Sequence, residues 1–262
     1  MVYALIVLVC FLASAIGAIC GIGGGVIIKP VLDATGILPV TSVFFLSGCT
    51  VLSMSIVSVY KNLCAKHNYS FDKKTATILA IGGAFGGVTG KEIYQLLLSR
   101  MAQSSRIGAV QAFVLMLTTI GTLLYVLNKA RIQTIQIRNE GFMLLIGVIL
   151  GMMSSFLGIG GGPINVVVML FFFSMTSKQA AMYSICIILI SQIASLASTL
   201  IKGNVPDFEP QILLLMIGCG ILGGLAGSRL NKKLEDRTVD KLFLGLLVII
   251  VGVNIYNIFR YI

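Results

Sequence analysis

Gly21-Ile22-Gly23-Gly24-Gly25 recurs letter for letter as Gly158-Ile159-Gly160-Gly161-Gly162, an offset of 137 residues. Both copies interrupt long apolar stretches. The same offset pairs Ser47 with Ser184, Cys49 with Cys186, Ser58 with Ser195, Phe71 with Phe208, Gly86-Gly87 with Gly223-Gly224, Gly90 with Gly227 and Arg100 with Arg237. No gap is needed over most of that stretch. The sequence therefore reads as one unit duplicated and fused: a first repeat over 1–127, a linker over 128–140 and a second repeat over 141–262. In a membrane protein, interruptions at matched places in two halves point to a transport site.

Composition sets the class. The chain is 57% hydrophobic and 11% charged, with a mean hydropathy of +1.02. Soluble chains carry roughly 25% charged residues. The expectation is an all-α polytopic membrane protein of two homologous four-segment repeats, set in a lipid bilayer, with no soluble domain. The net charge of +10 then belongs to short loops that orient helices and meet lipid phosphates. Nucleic acid is not an expected partner.

The apolar segments run over 2–20 then 26–38, 40–60, 76–98, 107–127, 141–157 then 163–175, 179–201, 211–229 and 240–259. Each full span approaches the ~20 residues that cross the hydrocarbon. The first and fifth are broken by the glycines, and Pro163 suits the first turn of a resumed helix. Residues 2–20 lack a basic leader, and their repeat mate is internal, so they read as a retained membrane segment rather than a signal peptide. A second glycine set, Gly82, Gly86 and Gly90, with Gly83 and Gly87, and again Gly220 with Gly224 and Gly223 with Gly227, is spaced for close helix packing.

Charge counting discriminates two topologies. Single crossings by all eight segments put 9 of the 19 Lys and Arg on one side, with no bias. Re-entrant hairpins at the two glycine breaks, with inverted halves, gather 13 on one side: Lys61, Lys66, Lys73, Lys74, Lys129, Arg131, Arg138, Lys178, Arg229, Lys232, Lys233, Arg237 and Lys241. Only the second arrangement obeys the positive-inside rule. It predicts inverted repeats with six full crossings, and with both termini outside.

A break in a membrane helix bares backbone groups, so it must line a cavity or pack within protein. Each resumed half-helix presents free N–H donors and a positive dipole end, which suits an anion. The expected anion site is therefore the backbone of Gly23, Gly24 and Gly25 with that of Gly160, Gly161 and Gly162. Lys29, four residues after the first break, has two readings: a charge facing an anion in the cavity, or a side chain snorkelling to an interface. Asn165 stands just past the second break. Ser47 and Ser184 lie on polar stripes that equally serve interhelical hydrogen bonds.

Other chemistry is not supported. Gly86 to Glu92 resembles a phosphate-binding loop but has Phe85 and Glu92 where glycine and a hydroxyl belong. His67, the only histidine, is read as a solvated loop residue. The six cysteines form no metal or disulfide pattern. No enzyme activity, cofactor or metal is expected. Asp33, Glu92, Glu140, Asp207 and Glu209 are read as lying near segment ends, so no buried carboxylate relay is visible. Coupling to a proton gradient stays open for a substrate that carries the proton itself.

The paired G-I-G-G-G segments resemble those of the TauE/SafE family of membrane permeases. The G-G-x-x-G runs, Gly86 to Gly90 with Lys91 to Arg106 and Gly223 to Gly227 with Arg229 to Lys241, are similar too. The resemblance implies a secondary transporter in a prokaryotic plasma membrane for sulfite, sulfonates or another organosulfur anion. Lys29 departs from the family pattern, where an apolar residue precedes the proline. Pro163-Ile164-Asn165 departs as well. An anion channel and a non-transporting membrane assembly factor are the competing readings. Oligomeric state and transport direction are not legible.

Overall fold

A computed structural model describes residues 2–63, 72–100, 104–129 and 131–261. His67 and Cys64 lie outside the described residues, as does Phe71. The described chain is helical: α1 (Val2–Cys20), α2 (Gly25–Thr35), α3 (Val40–Leu63), α4 (Lys73–Arg100), α5 (Ser104–Asn128), α6 (Glu140–Leu157), α7 (Pro163–Phe173), α8 (Ser177–Ile201), α9 (Pro210–Lys233) and α10 (Asp236–Tyr261). Among the described residues, seven helices are long and apolar enough to cross a membrane: α1, α3, α5, α6, α8, α9 and α10. Their outward faces carry Leu8, Leu124, Leu214, Leu222 and Phe259, all exposed. A water-soluble surface would not bear apolar side chains on this scale. This is a multi-pass membrane protein.

Local chemistry fixes several helix starts. Asp72 opens α4, its carboxylate accepting from the Lys74 amide at 2.9 Å and the Thr75 hydroxyl at 2.6 Å. The Thr75 hydroxyl in particular holds that carboxyl below its usual range. Asn139 caps α6 and Thr176 closes a capping box with Gln179 on α8.

The glycine faces join the two halves. A Cβ on Gly86 would lie 2.0 Å from the Val148 carbonyl oxygen, and one on Gly223 would lie 2.6 Å from that of Phe11. Gly90 meets the Met152 oxygen at 2.3 Å and Gly227 the Ala15 oxygen at 2.2 Å by the same measure. In each pair of contacts, both partners differ by the offset of 137. So α4 packs along α6 much as α9 packs along α1.

The registers give directions. Along α1 and α9, Tyr3 bonds Glu209, Ala15 meets Gly227, and the Ile19 carbonyl accepts from Asn231. The two helices are parallel. α3 runs parallel to α9, from Ser42 at Asp207 to Lys61 at Lys232. α4 and α6 are parallel, from the Lys74–Glu140 ion pair to Gly90 at Met152. α1 and α3 therefore start at one end of the bundle, called here the Ser42 end. α4, α6 and α8 start at the other, the Lys74 end.

The arm before the first glycine break has the full length read for residues 2–20. α1 has 19 residues and follows α9 almost to its C-terminus. Only α2, with 11 residues, is a short return. The glycine face of α9 is the reason: it offers α1 a close partner along its whole length. α7, also 11 residues, is the short arm after α6.

These contacts predict which glycines matter. Gly86→Ala drives a methyl into the backbone of α6 and should cost about 1–3 kcal/mol or more. Gly218→Ala, with nothing within 4 Å of its Cβ, should be neutral. Thermal stability of the two variants in detergent, measured side by side, checks this.

Candidate functional site

The two glycine segments meet. α1 ends at Cys20, and the amides of Gly21 and Ile22 both donate to the Gly17 carbonyl, at 2.9 and 3.2 Å. The chain then turns back through Gly21 and Gly23, at φ 75° and 77°. α6 ends at Leu157, with Gly158 as a left-handed cap at φ 66°. A Cβ on Gly25 would sit 2.3 Å from the Ile159 oxygen, and one on Gly23 would sit 3.0 Å from the Gly160 oxygen. One on Gly161 would sit 3.2 Å from the Ile22 oxygen. The segments cross backbone against backbone, and side chains would hold them apart.

Donors are left over at this crossing. Among the described residues, the N–H groups of Gly23 and Gly24, and of Gly160, Gly161 and Gly162, have no backbone hydrogen-bond acceptor. Neither Gly24 before α2 nor Gly162 before α7 is capped by a side chain. Such amides call for an acceptor.

The four side chains singled out in the sequence fare differently. Asn165 is buried, and neither end of its amide has a partner among the described residues. Ser184 is buried too, with its hydroxyl unpaired among those residues. The Ser47 hydroxyl is engaged: it lies 2.8 Å from the Gly158 carbonyl and 3.0 Å from that of Phe44. Its proton anchors the second break to α3.

Lys29 is buried and ion-paired to Asp33 at 2.7 Å, one turn on. Asp33 does lie in the last turn of α2, near a segment end, yet it is only 5% exposed, so a buried carboxylate is present after all. The end of α2 is roofed by α10, where Arg260 donates to the Asp33 and Ala34 carbonyls and Asn257 to that of Pro30. Beside the pair lies a cavity of about 10 Å³ that Gln111, Ile159, Asn254 and Asn257 help to line. This holds about one water. Among the described residues, Gln111 Oε1 and Asn257 Oδ1 have no hydrogen-bond partner. Sequence reasoning missed Gln111, Asn254 and Asn257, because a lone amide in an apolar run carries no periodic signal. The spacing of Lys29 and Asp33 was the visible clue.

Larger cavities lie on either side of the crossing. At the Ser42 end, about 580 Å³ is bounded by the start of α3, the end of α4 and residues 204–207. Lys91 lines it, 4% exposed, with Phe44 and Tyr94. At the Lys74 end, about 400 Å³ is bounded by Asp72, Thr75, Arg138, Glu140 and Tyr183 among others. No cluster able to hold a metal ion occurs among the described residues.

Paired helix interruptions within a multi-pass helical bundle are an arrangement that membrane transporters use. Residues 6–255 match the model of the sulfite exporter TauE/SafE family, and the chain belongs to that family of membrane transporters. It is 22% identical over 274 aligned positions to the probable membrane transporter protein YunE of Bacillus subtilis (strain 168), covering 95% of this chain and 96% of that one. No solved structure matches it.

The buried ion pair makes a sharp prediction. At the offset of 137, Lys29 and Asp33 correspond to Val166 and Leu170. Asp33→Leu alone strands a buried ammonium and should cost about 3–5 kcal/mol. Lys29→Val with Asp33→Leu should restore stability to within about 1 kcal/mol of the parent, since an apolar replacement of a buried pair is often neutral. A double-mutant cycle of thermal unfolding reads both. At the crossing, Gly25→Ala should abolish folding. Gly162→Ala, whose Cβ meets its first neighbour at 3.5 Å, should be recovered intact from the membrane.

Proposed function

We propose that this protein is a secondary transporter of a small anion, an oxidised sulfur compound such as sulfite or a sulfonate, working by alternating access around the crossed glycine segments. The observation that carries the reading is the set of unpaired amides at that crossing, supplied by both segments. A negatively charged oxygen is the acceptor such donors favour. Gly23, Gly24 and Gly25 would face one side of the substrate, and Gly160, Gly161 and Gly162 the other. Asn165 and Ser184 would add hydrogen bonds from their unpaired groups. Ser47 would act by positioning Gly158. Lys29 would contribute charge once its bond to Asp33 loosens, for the adjoining cavity holds no anion as it stands.

The mechanism follows from the arrangement. The segments touch backbone to backbone, and this favours a carrier over a channel, which would need a continuous pore. We read the halves as inverted repeats. The equivalent contacts Gly86–Val148 and Gly223–Phe11 support this, as do the opposed directions of α1 and α6. Two conformations related by exchange of the halves' roles then open the site to either face. The Lys74 end gathers the basic loops and is the cytoplasmic face under the positive-inside rule. A proton is the coupling ion this reading favours, carried by the substrate as a weak acid.

The test is reconstitution in liposomes with sulfite, thiosulfate, taurine and sulfoacetate, with and without a pH gradient. Saturable uptake of one of these anions is expected, with uptake steeper when the gradient is imposed. Asn165→Ala should raise the KM of that uptake several-fold. Gradient-independent, non-saturating flux would establish a channel instead. For orientation, single cysteines replacing Lys74 and Lys232 in a cysteine-free chain should label from the same face, and one replacing Asn204 from the opposite face. Labelling of Lys74→Cys and Lys232→Cys from opposite faces defeats the inverted arrangement.

A further inference from the structure

We propose that the cavity at the Ser42 end is an anion-binding vestibule built on Lys91, and that Phe44 is the gate between it and the crossed glycine segments. The proposal deepens the transport reading above and rests on it for the identity of the anion, a small oxyanion. The site itself stands on separate observations.

Lys91 continues the row Gly83, Gly87 on α4, each four residues from the last. That row is pressed against α8: a Cβ on Gly87 would meet the Ser191 oxygen at 2.5 Å. A lysine in this row is carried into the bundle, and Lys91 is 4% exposed. No hydrogen bond or ion pair to Lys91 exists among the described residues. Glu92, the next residue, is engaged with Lys202 and Ser198 on the other side. Asp207 lies on the cavity lining, but it is exposed, at the mouth. The ammonium instead lies 4.2 Å from the centroid of the Phe44 ring and 5.1 Å from that of Tyr94. A buried ammonium with three unused donors, facing a cavity of about 580 Å³, lacks an acceptor. A small oxyanion supplies it.

Phe44 is held from three directions. Lys91 lies over its ring, Tyr94 stacks on it at 4.0 Å and 8°, and the ring touches the second glycine segment. A Cβ on Gly158 would be 2.2 Å from a ring carbon. Ser47 fixes the same place by bonding the Gly158 and Phe44 carbonyls. The ring therefore stands between the vestibule and the start of the second glycine segment.

Packing alone does not call for this trio. At the offset of 137, Phe44, Lys91 and Tyr94 correspond to Ala181, Ser228 and Asn231. There the first glycine segment meets Ala181, with a Cβ on Gly21 2.4 Å from that methyl. A small uncharged residue closes the equivalent contact. The aromatic pair and the ammonium are an addition of the first half. An anion that takes the Lys91 donors weakens its attraction to the ring, and Phe44 is then free to swing from Gly158.

Thiol labelling tests this without requiring transport. In a cysteine-free chain, Thr41→Cys places a thiol on the vestibule wall. With Lys91 present, a sulfonate-bearing methanethiosulfonate should react about tenfold faster than its trimethylammonium analogue, relative to their rates with a free thiol. Millimolar sulfite or thiosulfate should slow the reaction. Lys91→Met should abolish both effects, and Lys91→Arg should retain them. Because Lys91→Met removes a buried charge, it should fold at least as well as the parent. Equal relative rates with Lys91 present and absent overturn the vestibule, even if uptake into liposomes is normal. Retained charge preference with no uptake of any anion supports the vestibule and defeats the transport reading instead.

For the gate, Ile188→Cys lies beyond Phe44, against Gly23 and Gly161. It should be unreactive with Phe44 in place and at least about tenfold faster with Phe44→Ala or the bulkier Phe44→Leu. Unchanged reactivity in both folded variants overturns the gate.

Discussion

Everything in this molecule is arranged around a contact that admits no side chain. Ile159 and Gly160 present carbonyl oxygens to Gly25 and Gly23, and at Gly25 the available gap is smaller than a methyl group. Backbone polar groups brought so close, inside a bundle set in lipid, cannot be satisfied by water. Some are satisfied locally: Gly17 takes two amides, Ser155 takes the Gly158 amide, and Ser47 reaches Gly158. The rest stay open. A fold whose only task was stability would have closed those helices. Leaving two helices broken at one place costs several hydrogen bonds, which the surrounding bundle must offset.

The offset comes from an exchange of helices. α4 packs on α6 and α9 on α1, each through a glycine face that lets backbones approach closely. Neither half completes itself. The first half's glycine row is filled by the second half's broken helix, and the reverse holds too. The crossing is thus clamped by two equivalent interfaces. This also explains why α1 and α6 stay long before their breaks. Each must run the length of its glycine partner before it can turn.

The glycine repeat made the helix breaks legible in the sequence, because three glycines within an apolar run have few other readings. The glycine faces were legible for the same reason, through their spacing of four. Lys91 was hidden. Its neighbours invite comparison with a phosphate loop, and nothing local says that α8 and Phe44 lie over it. Asp33 lies near a segment end as read, but its burial was not legible. That burial depends on Arg260 and Asn257, more than 220 residues away along the chain. Single residues whose setting is supplied by a distant helix leave no periodic trace.

The differences between the halves matter as much as their likeness. A perfectly duplicated inverted pair would have two mirror conformations of equal energy. Here the first half bears Lys29 and Asp33 where the second has Val166 and Leu170, and Phe44 and Lys91 where the second has Ala181 and Ser228. Each substitution places charge or an aromatic ring toward the Ser42 end. On the transport reading these are the groups that make the two conformations unequal, since exchange of roles cannot exchange the side chains. They would hold Phe44 against the second glycine segment and keep Lys29 on Asp33 in the absence of an anion. On that reading an anion bound at Lys91, and then at the crossing, would compete for both interactions. Its differential affinity for the two arrangements would shift their balance. The symmetric backbone would supply the two states, and the asymmetric side chains would couple the choice between them to the substrate.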